Sequence, residues 1–239
     1  MTASAPTILA TSMGLNRARE PWQPGPVFDY AVELARPAGT PKLCLLATAG
    51  GDQRETLRLF EAAFADQTVE LSHLALFDKP NVDDVAAFLH EQDVIWVDRG
   101  SLVNLLAVWR AHRLDQILRE CWEAGVVLAG ESAGSLCWFT GGTTDSFGQV
   151  EAVSDGLGLL PYSNAVHYAD RRDQFQQLIA DETLPAGYAT DAGAGLHFEG
   201  TELVAAISDR KQAGAYWVEQ APDGTAQETV LEVRRLKRS

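Results

Sequence analysis

The stretch GVVLAGESAGSLCWF, residues 125–139, combines an apolar strand with a sharp turn and the start of a helix. Its apolar run Val126–Gly130 predicts a buried strand, and Gly-Glu-Ser-Ala-Gly follows with the G-x-S-x-G spacing. The two glycines permit a tight strand-to-helix turn, which lifts the Ser132 hydroxyl above the edge of a sheet. The stretch therefore predicts a strand–turn–helix unit of an α/β protein, with Ser132 as candidate nucleophile.

Strand-like and helix-like segments alternate around this stretch through the first 140 residues. The predicted helices carry apolar residues three and four apart, and Asn81 and Ser101 occupy N-cap positions. Such alternation predicts a mostly parallel sheet with helices on both faces, and ligands bind at the carboxyl ends of its strands. The predicted strands are Thr7–Met13, Lys42–Ala49, Val69–Phe77, Val94–Asp98 and Val126–Gly130, and the predicted helices are Asp52–Asp66, Val82–Glu91, Leu102–His112 and Leu114–Glu123.

The last third of the chain has short β-like runs separated by Gly, Asp and Pro. They are Gly195–Phe198, Glu202–Ser208, Ala215–Glu219 and Thr229–Val233. This pattern predicts antiparallel strands that extend the same sheet. With no Pro/Gly/Ser-rich linker in the chain, we expect one domain over residues 1–239.

Charge and composition exclude several functional classes. The net charge is −14 and the pI about 4.7, so phosphate backbones and anionic membranes are repelled and neither is an expected partner. The N-terminal residues lack a basic leader followed by an apolar run, so we expect no signal peptide. The three cysteines form no C-x-x-C pair, which favours a reducing cytoplasm. No His, Cys, Asp or Glu cluster has ligand spacing, so we expect no metal or other cofactor.

A serine nucleophile needs a base, because its hydroxyl is almost entirely protonated at neutral pH. The chain has five histidines, and four of them fall in helix-like or strand-like patterns: His73, His90, His112 and His197. His167 differs, because it ends the glycine-punctuated apolar stretch GLGLLPYSNAVH, residues 156–167. From the residues alone, His167 is one candidate base among several.

Three segments together resemble the dipeptidase E family of serine peptidases, also called peptidase E or aspartyl dipeptidase. They are GESAGSLCWF, DGLGLLPYSNAVHY and LHFEGTELVAAIS, and the resemblance covers nearly the whole chain. It implies the flavodoxin-like fold of class I glutamine amidotransferases and hydrolysis of short peptides. It also implies Ser132 as nucleophile and His167 as general base.

The resemblance departs from the family pattern at the third triad position. In YATDAG, residues 188–193, Ala192 stands where relatives have a glutamate. Asp191 is the nearest carboxylate, so we expect it to orient His167 in a Ser-His-Asp arrangement. Asp145, Asp155 and Glu199 are the reserve candidates.

A second departure concerns the oxyanion hole. Relatives carry a glycine run before the G-x-S-x-G turn, whereas DRGS, residues 98–101, retains only Gly100. Backbone N–H groups need no particular side chain, so Gly100 and Ala133 are the expected oxyanion donors. Asp98 would oppose a forming oxyanion, and Arg99 would offset it.

Substrate contacts and alternative functions stay open at this stage. Arg171 and Arg172 follow His167 and are candidate ligands for a substrate carboxylate. One alternative is an α/β-hydrolase esterase, although the chain lacks an HGGG-type motif and a late catalytic histidine. The other is a catalytically weak binding protein, favoured by Asp98 and Arg99. The expected partner is a small peptide substrate, and a homodimer is left open.

Overall fold

The computed structural model describes residue 3 and residues 5–237. The strands are β1 Thr7–Thr11, β2 Lys42–Leu46, β3 Glu70–Leu74, β4 Val94–Val97, β5 Val127–Glu131, β6 Phe139–Thr144, β7 Glu151–Val153, β8 Leu160–Val166, β9 Gly187–Thr190, β10 Ala194–Glu199, β11 Glu202–Ser208, β12 Ala215–Gln220, β13 Ala226–Val230 and β14 Val233–Arg235. The α-helices are α1 Pro26–Ala35, α2 Arg54–Phe64, α3 Val85–His90, α4 Leu102–Ala111, α5 Leu114–Glu123, α6 Ala133–Leu136 and α7 Arg172–Ala180.

The larger sheet has eight strands in the order β14-β11-β10-β1-β5-β4-β2-β3. From β1 to β3 all neighbours run parallel, so their carboxyl ends share one edge. β10 and β11 add antiparallel pairs beside β1. The fold is therefore α/β with a mostly parallel sheet, as the alternation of segments predicted.

Helices cover both faces of this sheet, because side chains along a strand point alternately to either side. Leu43 and Leu45 of β2 pack in one apolar cluster with residues of α1 and α2. Cys44 and Leu46 of the same strand pack in the other cluster, with residues of α3, α4 and α5. Full burial of each such side chain contributes about 1.5–3 kcal/mol.

A second sheet differs from the prediction that all late strands extend the first. Its order is β13-β12-β9-β8-β6-β7, with parallel pairing between β6, β8 and β9. The predicted runs Ala215–Glu219 and Thr229–Val233 therefore do not lengthen the first sheet in the expected way. The first forms β12 in the second sheet, and the other contributes to β13 and to β14, which returns to the larger sheet.

All four predicted helices are present, and one of the two predicted N-caps is correct. Ser101 Oγ accepts from Asn104 N–H at 3.3 Å at the start of α4. Asn81 is not a cap: Asp84 caps α3 instead, and Asn81 Oδ1 accepts from the Ala75 N–H. Helix α1 was not predicted. None of the described helices has the length and apolar character needed to cross a bilayer.

Candidate active site

The G-x-S-x-G turn joins β5 to the short helix α6 at the carboxyl edge of the larger sheet. Ser132 has φ 60° and ψ −109°, an unusual conformation for a residue with a side chain, and its N–H donates to Thr11 O at 3.0 Å. A Cβ on Gly134 would lie 2.1 Å from Val97 O, and one on Gly130 would lie 2.4 Å from Gly134 O. Both glycines are therefore required by close backbone approach, and the half-buried Ser132 is held at the turn.

His167 follows β8 at the equivalent edge of the second sheet. Its side chain is half-buried, and its backbone is in the left-handed helical region, with φ 54° and ψ 46°. Its N–H donates to Ser12 Oγ at 3.3 Å, and Ser12 Oγ lies 2.7 Å from Thr190 Oγ1. Ser132 and His167 are thus both anchored on the adjacent residues Thr11 and Ser12 at the end of β1.

Ser12 is a site residue that the sequence analysis missed. It is 5% exposed and joins the ends of β1, β8 and β9 through its hydroxyl. The signal available in the sequence was its position at the end of the first predicted strand, where α/β proteins place ligand sites. Small hydroxyl residues are common at strand ends, so that position alone did not mark it.

The surroundings of His167 favour its neutral form. Burial is the main cause that lowers its pKa below the ordinary value, and Arg171 and Arg99 act in the same direction. Asp145 and, more weakly, Asp170 oppose the shift. A neutral imidazole can accept a proton, as a general base must. Within the described residues no hydrogen bond joins the Ser132 and His167 side chains, and catalytic hydrogen bonds often tighten only when substrate binds.

Asp191 does not lie against His167 as expected. Its Oδ2 accepts from the Gly214 N–H and the Tyr216 hydroxyl, each at 3.0 Å, and its N–H donates to Gly214 O. The expected hydrogen bond to His167 is absent from the described part of the chain. The reason is strand pairing, because Asp191 continues the pairing of β9 with β12 and its carboxylate faces β12, away from β8.

The reserve carboxylates occupy three different places. Asp155 pairs with Arg110 at 2.9 Å, away from His167. Glu199, on β10, acts to raise the pKa of His197. Asp145, on the loop after β6, is the carboxylate that raises the His167 pKa most. It forms an ion pair with Arg171 at 3.1 Å.

The two expected oxyanion donors, Gly100 and Ala133, lie after β4 and after Ser132 respectively. Gly100 has φ +149°, and a Cβ there would lie 2.3 Å from Ala49 O, so the loop after β4 accommodates only glycine at this position. The N–H groups of Gly100 and Ala133 have no acceptor among the described residues. The nearby Asp98 carboxylate is hydrogen-bonded by Arg17, which offsets its negative charge.

Arg171 and Arg172, the candidate ligands for a substrate carboxylate, both make contacts within the protein. Arg171 is 8% exposed and donates to Thr143 O at 2.9 Å in addition to its ion pair with Asp145. Arg172 donates to Glu228 at 2.6 Å and lies over the rings of Tyr168 and Tyr216. Both guanidinium groups are therefore engaged in intramolecular contacts.

A cleft of about 810 Å³ opens at this edge of the sheets and is lined by His167, Arg99 and Glu131. The segment after β1, which includes Gly14 and Arg17, also lines the cleft. No group of three or more His, Cys, Asp or Glu side chains in the described residues is arranged to hold a metal ion. The cleft is large enough for a short peptide, since typical ligand pockets measure about 300–1,000 Å³.

Comparison with known proteins gives four concordant matches. The profile of Peptidase family S51 matches residues 11–206. The chain is 45% identical to the uncharacterized peptidase YgaJ of Bacillus subtilis (strain 168) over 184 residues, 76% of this chain and 79% of YgaJ. A crystal structure of a peptidase from an acI-B1 Actinobacterium superposes with a TM-score of 0.65 at 16% identity, over 95% of both chains. One from Listeria monocytogenes EGD-e, provisionally named a peptidase E, has a TM-score of 0.59 at 16% identity, over 84% of this chain and 98% of that one.

Proposed function

This chain belongs to peptidase family S51, and we propose that it is a serine peptidase that hydrolyses short peptides through an acyl-enzyme. The observation that carries the proposal is the common anchor of Ser132 and His167 on Thr11 and Ser12 at the end of β1. Membership of the family makes the chain a peptidase. The serine mechanism and the peptide substrate class are the proposal.

In the proposed mechanism, Ser132 Oγ attacks the scissile carbonyl carbon while His167 takes the hydroxyl proton. The carbonyl oxygen becomes an oxyanion, which accepts hydrogen bonds from the N–H groups of Gly100 and Ala133. As the intermediate collapses, His167 returns the proton to the leaving amine and an ester remains on Ser132. Water then attacks the ester with His167 as base, and this releases the acid and restores the serine.

We assign the orienting carboxylate to Asp145 and not to Asp191. Two observations support this assignment. The negative charge of Asp145 acts to raise the His167 pKa, and the ion pair with Arg171 holds the Asp145 side chain. A carboxylate beside the imidazole stabilises the imidazolium formed in the transition state. The Asp191 carboxylate instead ties β9 to β12 through Tyr216 and Gly214.

Two matched variants test the assignment: Asp145→Asn and Asp191→Asn. Asp145→Asn should lower kcat by on the order of 10²–10⁴ and move the acid limb of kcat/KM to lower pH, because Asp145 raises the His167 pKa. Asp191→Asn should chiefly lower thermal stability. A large kcat loss in Asp191→Asn with little loss in Asp145→Asn would return the role to Asp191.

Peptide and ester turnover separate the serine peptidase from its alternatives. Wild-type protein should cleave members of a dipeptide library, and Ser132→Ala should lose about 10⁶ in turnover while keeping the wild-type Tm. Turnover of esters without peptides would favour an esterase, and turnover of neither would favour a binding protein.

We retain the cytoplasm as the compartment of this protein, because all three cysteines are free and buried.

A further inference from the structure

Two buried carboxylates flank the segments that carry the expected oxyanion donors. Asp98 follows β4 two residues before Gly100, and Glu131 ends β5 immediately before Ser132. They are 4% and 7% exposed. Burial is the main cause that raises the Glu131 pKa, and the nearby charge of Asp98 acts in the same direction. Negative charge at these positions opposes a forming oxyanion, so the site needs a compensating cation.

Arg17 is the cation that contacts both carboxylates. Its Nη2 donates a hydrogen bond to Asp98 Oδ1, and its Nη1 lies 3.5 Å from Glu131 Oε2. After burial, Arg17 is the strongest influence on the Glu131 pKa, and it acts to lower that pKa. The Arg17 side chain is 12% exposed, so solvent screens its charge only weakly. One guanidinium group therefore joins the loop after β4 to the G-x-S-x-G turn and offsets the charge of both carboxylates.

A third segment holds the Arg17 side chain. This segment is the loop between β1 and α1, in which the backbones of Asn16 and Gln23 exchange hydrogen bonds of 2.8 and 3.3 Å. The guanidinium carbon of Arg17 lies 4.9 Å from the centre of the Trp22 ring and 6.0 Å from that of Phe60. Aromatic rings attract a cation placed over their faces. Aromatic contacts therefore hold Arg17 in addition to the carboxylates.

Arg99, the cation expected from the sequence to offset Asp98, is more exposed. Its side chain is 52% exposed, and its Nη1 lies 3.8 Å from Glu131 Oε1, beyond hydrogen-bond distance. In the part of the chain that the structure describes, the Asp98 carboxylate pairs with Arg17 and not with Arg99. Water and salt screen exposed charges. The compensation that the DRGS loop requires therefore comes mainly from Arg17.

On the premise of the peptidase activity above, we propose that Arg17 is a positioning residue of the oxyanion hole, which ties the Gly100 loop to the Ser132 turn and neutralises the carboxylates beside them. Arg17 acts through these two segments, because its hydrogen bond and its ion pair both end on their carboxylates. The oxyanion exists only at and around the transition state, so loss of Arg17 should act on kcat far more than on KM.

The test measures dipeptide turnover in Arg17→Gln, in Asp98→Asn and in the double variant. Arg17→Gln leaves two negative charges uncompensated and should lower kcat by on the order of 10², comparable to the loss of one oxyanion-hole donor, with KM changed by less than about threefold. Asp98→Asn removes one charge and keeps an acceptor for Arg17, so kcat should stay within about threefold of wild type. The double variant has one uncompensated charge fewer than Arg17→Gln and should recover at least about 10-fold of the lost kcat.

Two other arginines and a thermal melt separate this role from a structural one. Arg110→Gln removes an arginine–aspartate ion pair of 2.9 Å and should keep the wild-type kcat. Arg99→Gln removes an exposed charge and should cost at least about fivefold less kcat than Arg17→Gln. A lower Tm with unchanged kcat in Arg17→Gln, no recovery in the double variant, or an equal loss in Arg99→Gln would overturn the inference.

A conservative variant and a labelling control cover the remaining failures. If Arg17→Gln does not fold, Arg17→Lys decides, because it keeps the charge but lacks the planar fork that reaches both partners; its kcat should fall by about 10-fold, and an unchanged kcat would overturn the inference. Fluorophosphonate labelling of wild type reports on the proposed function alone. Absence of both labelling and cleavage in wild type refutes the peptidase mechanism, whereas a cleaving wild type and an equally fast Arg17→Gln refute only the role of Arg17.

Discussion

Ser12→Ala should lower turnover while leaving the protein folded, because Ser12 positions the backbone of the base. The change removes the acceptor of the His167 N–H at 3.3 Å and the hydrogen bond to Thr190 Oγ1 at 2.7 Å. Each neutral hydrogen bond contributes about 0.5–1.5 kcal/mol, so the free energy of unfolding should fall by about 1–3 kcal/mol. For a chain of this size, Tm should fall by about 2–12 °C.

The effect on catalysis follows from the displacement of His167. A shift of about 1 Å in a catalytic group costs on the order of 10² in rate, and the loss of one of its anchors should cost about 10-fold in kcat. KM should change little, because Ser12 is only 5% exposed and the lost interaction acts on His167. Steady-state kinetics on a cleaved dipeptide and a thermal melt measure both quantities.

Thr190→Val is the matched control for this prediction. It removes the hydroxyl partner of Ser12 but leaves Ser12 Oγ to accept from the His167 N–H. Stability should fall in both variants, whereas kcat should fall clearly only in Ser12→Ala. If both variants lost stability alike and kept the wild-type kcat, the anchoring role of Ser12 would be refuted.

Three further predictions concern the loop after β4, the base and the Asp191 contact. Gly100→Ala should reduce kcat by about 10²–10³, since the added Cβ would meet Ala49 O at 2.3 Å and misdirect an oxyanion donor; normal kinetics would contradict the assignment. Because burial lowers the His167 pKa, kcat/KM should fall as pH falls through a pKa below about 6.5 and stay level above it; a midpoint above 7 would point to another base. Tyr216→Phe should cost about 1 kcal/mol of stability and little activity, as measured by denaturant titration, because it removes a hydrogen bond to Asp191; a large kcat loss would tie that pair to catalysis.

The sequence predicted the parts of the site that are encoded within one continuous segment. The G-x-S-x-G turn is such a part, because a strand, two glycines and the start of a helix are adjacent in the chain. His167 was singled out because the segment that contains it resembles the peptidase family, not because of its periodicity. The first five strands and the helices α2 to α5 followed from alternating periodicities, with ends shifted by a few residues.

The sequence could not predict features that depend on contacts between distant strands. A short β-like run does not specify its partner, so β12 was assigned to the larger sheet although it pairs with β9. Asp191 was chosen by its nearness to a family position, whereas its pairing with Gly214 turns its carboxylate toward β12. Ser12 lies 155 residues from His167 along the chain, and nothing local indicates that they meet.

Mass spectrometry after fluorophosphonate labelling tests whether Ser132 is a nucleophile activated by His167. We expect one adduct per chain on wild type, mapped to the peptide that contains Ser132. We expect no adduct on Ser132→Ala and labelling slower by orders of magnitude on His167→Ala, with both variants folded. An adduct on another residue, or labelling of His167→Ala at the wild-type rate, would contradict these roles of Ser132 and His167.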